Sequence, residues 1–99
     1  MANVYITEIA DMANIGGHTG QVPLLPEIGG QIVVVGSVAS SQPFSASTRF
    51  IRVYADSACH LSLGENPTAS TGSPIKLGTG QTEYFGVGRG NKLSIIAGV

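Results

Sequence analysis

The chain has 99 residues, 42% of them hydrophobic, with five basic and six acidic side chains and a formal net charge of −1. A typical soluble domain carries charge on about a quarter of its residues; this chain carries it on 11%. That balance excludes a global field that would draw in nucleic acid, and the single cysteine, Cys59, excludes an intrachain disulfide or a multi-cysteine zinc site.

The length fits one domain over residues 1–99. A lone domain of this size buries only about 60–70% of its unfolded surface. Here the remainder is Ser, Thr, Gly, Gln, Asn and apolar side chains, which are easy to desolvate, because burying a charge costs far more than burying a hydrogen-bonded hydroxyl. A subunit whose outer faces are largely contacts is therefore expected. Small size without a disulfide or metal points the same way, to oligomerisation as the source of extra stability.

In chain order, Met1 to Glu8 lacks the basic region and apolar core of a signal peptide, and Val4 to Glu8 reads as a first strand. Residues 9–30 read as an extended arm or loop, loosest from Asp11 to Gly30, where Gly16, Gly17, Gly20, Pro23, Pro26, Gly29 and Gly30 fall. Such long loops are usually functional or ordered by a partner, and an arm lying over a neighbouring subunit would account for this one. Gln31 to Val38 is a strand with a continuous apolar stretch, so cover on both of its faces is expected. Its run Ile32–Val35 is far below the ~20 residues needed to span a bilayer, so no membrane role is expected and the product stays in the cytoplasm or in something assembled there.

Thr48 to Ala55 is the clearest strand, with Ile51, Val53 and Ala55 on one face and Phe50, Arg52 and Tyr54 on the other. Asp56–Ser57 turns the chain, and Cys59, Leu61 and Leu63 alternate with His60 and Ser62 in the expected hairpin partner. Gly64 to Gly72 is a loop, and Pro74 to Leu77 a short edge strand. Gln81 to Val87 alternates again; Gly88-Arg89-Gly90-Asn91 is the strongest hairpin-turn signal, and Lys92 to Ala97 follows it. About seven short strands of this kind predict an all-β fold, a compact antiparallel β-sandwich or barrel of jelly-roll or Greek-key type.

The candidate chemistry is sparse. His18 sits in a Gly-rich loop and His60 on the polar side of a strand, with no third metal ligand at useful spacing, so surface or interface roles are expected. Cys59 points inward beside Leu61 and Leu63, while His60 points to the opposite face and cannot serve it as a base. No spacing brings two of the six carboxylates together as a glycosidase pair. Gly86-Val87-Gly88-Arg89-Gly90 is followed by a strand rather than a helix, which removes the mechanism of a nucleotide loop. No catalytic, cofactor-binding or metal-binding residue is predicted. Phe50, Arg52 and Tyr54, with Tyr84 nearby, form an aromatic face flanking an arginine, which fits an interface hot spot, a second core or a carbohydrate platform. Tyr5, His18 and Arg89 complete the candidate interface residues.

The segments Tyr5-Ile6-Thr7-Glu8, Phe44 to Val53, Asp56-Ser57-Ala58-Cys59, Gly64 to Ala69 and Gly80 to Val87 resemble a family of small tailed-bacteriophage proteins encoded among virion structural genes. The resemblance covers most of the chain. It implies a virion component assembled in the host cytoplasm, some members being head decoration or cement proteins, and it transfers no catalytic residue. On this reading the partners are the major capsid protein or other virion proteins, and the chain is a homo-oligomer, with a trimer favoured. A tail, connector or fibre-attachment subunit and a carbohydrate-binding module are the alternatives; an enzyme has no assembled acid, base, nucleophile or metal set to support it.

Overall fold

Alternation of side chains along the strands divides the molecule into an inside and an outside. In Phe50–Ala55 the residues Ile51, Val53 and Ala55 are fully buried, while Phe50, Arg52 and Tyr54 are half-exposed. The computed structural model describes the backbone of residues 2–15, 18–23 and 27–98, and the side chains of residues 2–11 and 27–98. Its described residues form ten strands: β1 (Asn3–Ile9), β2 (Met12–Ile15), β3 (His18–Pro23), β4 (Gly29–Val34), β5 (Ala39–Ser40), β6 (Phe50–Ala55), β7 (Cys59–Gly64), β8 (Ile75–Leu77), β9 (Thr82–Gly86) and β10 (Lys92–Ala97).

Two four-stranded antiparallel sheets result, in the orders β4-β1-β6-β9 and β5-β10-β7-β8. The pairings are nested. β7 pairs with β8, β6 with β9, β5 with β10 and β4 with β1, and successive pairs fall in alternate sheets. This is a long antiparallel ribbon folded over itself, the jelly-roll form of the β-sandwich. β1 takes the place that a strand following β10 would occupy. Accordingly Ala2 and Ala97 meet the same short segment: the Val35 amide donates to the Ala2 carbonyl and the Ala97 amide to the Gly36 carbonyl, each at 3.0 Å.

The core lies between the sheets. Val4, Ile6, Val33, Ile51, Val53 and Ala55 meet Cys59, Leu61, Leu77, Leu93 and Ile95, with Phe44 packed among them. Each such aliphatic side chain contributes about 1.5–3 kcal/mol through its removal from water. Gly98 closes the structure against β7, where a Cβ would stand 3.1 Å from the Cys59 amide nitrogen, so only glycine fits without displacing backbone.

All seven expected strands are present, and β2, β3 and β5 are additional. Four details differ from the sequence reading. β6 and β7 are not a hairpin; they lie in opposite sheets and pack face to face across the core, because each has an apolar inner face to bury. Gly88–Asn91 does form a tight turn, with the Asn91 amide donating to the Gly88 carbonyl at 3.2 Å and Gly90 at φ 74°, but it links β9 to β10 across the sandwich. The stretch from Gln31 is covered on one face only, since β4 is an edge strand that buries Val33 and leaves Ile32 and Val34 exposed. Within residues 9–30, read as an extended arm or loop, β2 and β3 pair antiparallel as a ribbon belonging to neither large sheet.

A candidate assembly face on one sheet

Strand register collects four of the six aromatic residues on the outer face of the β4-β1-β6-β9 sheet. Ile32, Tyr5, Tyr54 and Thr82 lie opposite one another in a row across the four strands, and Gly30, Thr7, Arg52 and Tyr84 form the next row. Phe50 lies opposite Ile9 and Gly86 in a third. The Tyr5 and Tyr54 ring centroids are 6.1 Å apart and those of Phe50 and Tyr84 6.3 Å, both pairs tilted by about 45°. Ring pairs at this separation attract one another and hold each other's orientation. Tyr84 is 52% and Tyr5 37% exposed, whereas Ile9, at the end of the face, is buried.

The opposite sheet treats its outer face differently. The loop following β7 folds back over it: the Ala69 amide donates to Ser94 Oγ at 2.9 Å, and both residues are buried. His60 reaches the same loop, with Nδ1 3.0 Å from the Ser73 carbonyl oxygen. The chain itself thus covers part of one outer face, around Ser94 and His60, and the other presents aromatic rings to solvent.

Five of the seven candidate interface residues, Tyr5, Phe50, Arg52, Tyr54 and Tyr84, share this face. The alternative in which they form a second core does not hold, because the core uses the opposite side of β6. Arg89 is exposed in the β9–β10 turn, beyond the rows. His18 begins β3, and its side chain lies outside the described residues.

Sequence reading missed two features. Ile28, Ile32 and Val34 extend the exposed apolar surface along β4. Glu8 is a buried carboxylate that ties three segments together. Its Oε1 accepts hydrogen bonds from the Ser45 amide (2.9 Å) and Thr48 Oγ1 (2.8 Å), and its Oε2 accepts one from Gln31 Nε2 (3.2 Å). Gln31 in turn holds the backbone of Gln42 through both ends of its amide. The fold thereby fixes the 42–48 loop to β1 and β4.

A polar groove of about 430 Å³ lies elsewhere, between the β5 end and the 66–68 loop, and Lys92 is the one titratable side chain in its lining. Among the described residues no cluster of His, Cys, Asp and Glu is arranged to hold a metal ion. Cys59 is buried, and burial pushes its thiol above its ordinary value of 9.0. Two results are expected. The native protein should react with a thiol reagent only as fast as it unfolds. Because the folded-state value is raised, the stability linked to this group is full below about pH 9 and declines as pH rises through the shifted value, so urea melts should weaken on the alkaline side. Fast native labelling would contradict the buried placement.

No family model, curated protein or solved structure matches the chain.

Proposed function

We propose that this chain is a non-enzymatic structural subunit of a tailed-phage virion, a decoration or cement protein that binds the major capsid protein shell and stabilises it. The observation that carries this reading is the open aromatic face of the β4-β1-β6-β9 sheet, beside a second sheet whose outer face is partly covered by its own loop. Aromatic rings flanking an arginine supply large contact area at low conformational cost. A nearly uncharged exterior loses little on desolvation and does not attract packaged DNA. Repetition of such contacts around a symmetric shell multiplies their strength through avidity.

On this reading the protein resides in the virion after assembly in the host cytoplasm. It contacts shell protein and copies of itself, with a trimer as the form favoured by the resemblance, and needs no cofactor. A tail or neck position is the second reading within the virion. Particles made without the protein are expected to lose infectivity faster on heating and to regain resistance when the purified chain is added back. Equal heat resistance with and without the chain would remove the cement role.

A further inference from the structure

The unprotected edge of the same sheet specifies a partner. We propose that β4 joins two copies of this chain, antiparallel, about a twofold axis at Ile32. This rests on reading the exterior as contact surface but requires no virion.

Four of the six large hydrophobic side chains exposed among the described residues gather here: Tyr5, Ile28, Ile32 (63% exposed) and Val34. Sheets avoid accidental edge pairing with very short edge strands, inward-pointing charges, lysine or proline. Three of the four edges of the two large sheets are protected in such ways. β5 and β8 have two and three residues, and β9 carries Glu83 on the core side, opposite Val53. β4 has six residues, and no residue from 28 to 38 is charged or proline.

Backbone polarity sets the register. The Val35 amide bonds to the Ala2 carbonyl, so by the alternation of an antiparallel ladder Val33 and Gln31 also face β1. Gly30, Ile32 and Val34 therefore direct their amides and carbonyls to the open edge, where no described strand pairs with them. A twofold axis at Ile32 sets it against the partner's Ile32 and sets Gly30 against the partner's Val34, which satisfies every outward group with about six hydrogen bonds. The row Tyr54–Tyr5–Ile32 then continues across the axis into the partner's copy of the same row, giving one apolar stripe over both subunits. The pairing is isologous and closes on itself as a dimer. It stands against the trimer favoured above, and mass decides between them.

The test uses the purified full chain. Sedimentation of the wild type at tens of micromolar is expected to give a dimer, and Ile32→Lys a folded monomer whose melting temperature, unlike that of the wild type, does not change with protein concentration, since Ile32 lies outside the core. Ile32→Cys should form a disulfide-linked dimer under mild oxidation, because directly opposed residues of a bonded pair stand about 5.5 Å apart at Cα, inside disulfide range. Val34→Cys should not, its two copies being separated by roughly 13 Å or more along the strands. Buried Cys59 takes no part. A wild-type monomer or trimer, a dimeric Ile32→Lys, failure of Ile32→Cys to cross-link, or equal cross-linking of Val34→Cys would each overturn the proposal.

Discussion

Replacing Glu8 with alanine is expected to remove about 3 kcal/mol of stability and to lower the melting temperature by roughly 12–24 °C in a domain of this size. The expectation follows from what the substitution strands. The Ser45 amide, Thr48 Oγ1 and Gln31 Nε2 all donate to this carboxylate, and Thr48 is itself buried. With alanine the buried Thr48 hydroxyl keeps its desolvation cost unrelieved, and the Ser45 amide and Gln31 Nε2 lose a charged acceptor that water replaces only in part. The 42–48 loop would also lose its tie to β1. Glu8→Gln keeps an acceptor oxygen for Ser45 and Thr48, and is expected to lose less than half as much. Thermal melts of the two variants check this directly. A Glu8→Ala melt matching the wild type would show that the network contributes nothing net.

On the proposed reading, Tyr54→Ala is expected to leave the fold standing and to weaken docking on the proposed shell partner by about 2 kcal/mol, roughly 30-fold. Tyr54 is half-exposed at the centre of the aromatic face, between Tyr5 on β1 and Thr82 on β9. Its truncation removes contact area and frees the Tyr5 ring, which it meets at 6.1 Å. Because the two rings act as a unit, Tyr5→Ala combined with Tyr54→Ala should cost less than the sum of the single losses. Titration of undecorated shells with each variant measures both quantities. An unchanged affinity for Tyr54→Ala would move the docking surface elsewhere.

Much of the fold was legible because period-two alternation is a local signal. Ile51, Val53 and Ala55 on one side and Phe50, Arg52 and Tyr54 on the other assign both faces of β6 from the sequence alone. Cys59 and Leu61 likewise read as core, and both are buried. Strand partners were not legible, because nothing local distinguishes a hairpin from a crossing between sheets. A short turn after Ala55 serves either, and the need to bury two apolar faces against each other selected the crossing. β2 and β3 were not legible because Met12–Ile15 has weak β character as a sequence.

The candidate face divides in the same way. Its aromatic members were visible as a parity class on β6, and Tyr84 followed from alternation in β9. That Tyr5 joins them depends on β1 lying beside β6, a contact between residues about fifty apart in sequence. Glu8 gave no local sign of burial, since its partners Gln31, Ser45 and Thr48 come from two distant segments. The exposed Ile32 and Val34 reversed the expectation for their segment because a continuous apolar run reads alike for a central strand and for an edge that awaits a partner.

On the proposed reading, the most direct test counts this chain's peptides against those of the major capsid protein in purified particles of the phage proposed to encode it. The account predicts a ratio near one repeated site of the shell, on the order of hundreds of copies per particle, as docking around a symmetric lattice requires. Absence from the particle, or the handful of copies that a tail or neck ring carries, would contradict it.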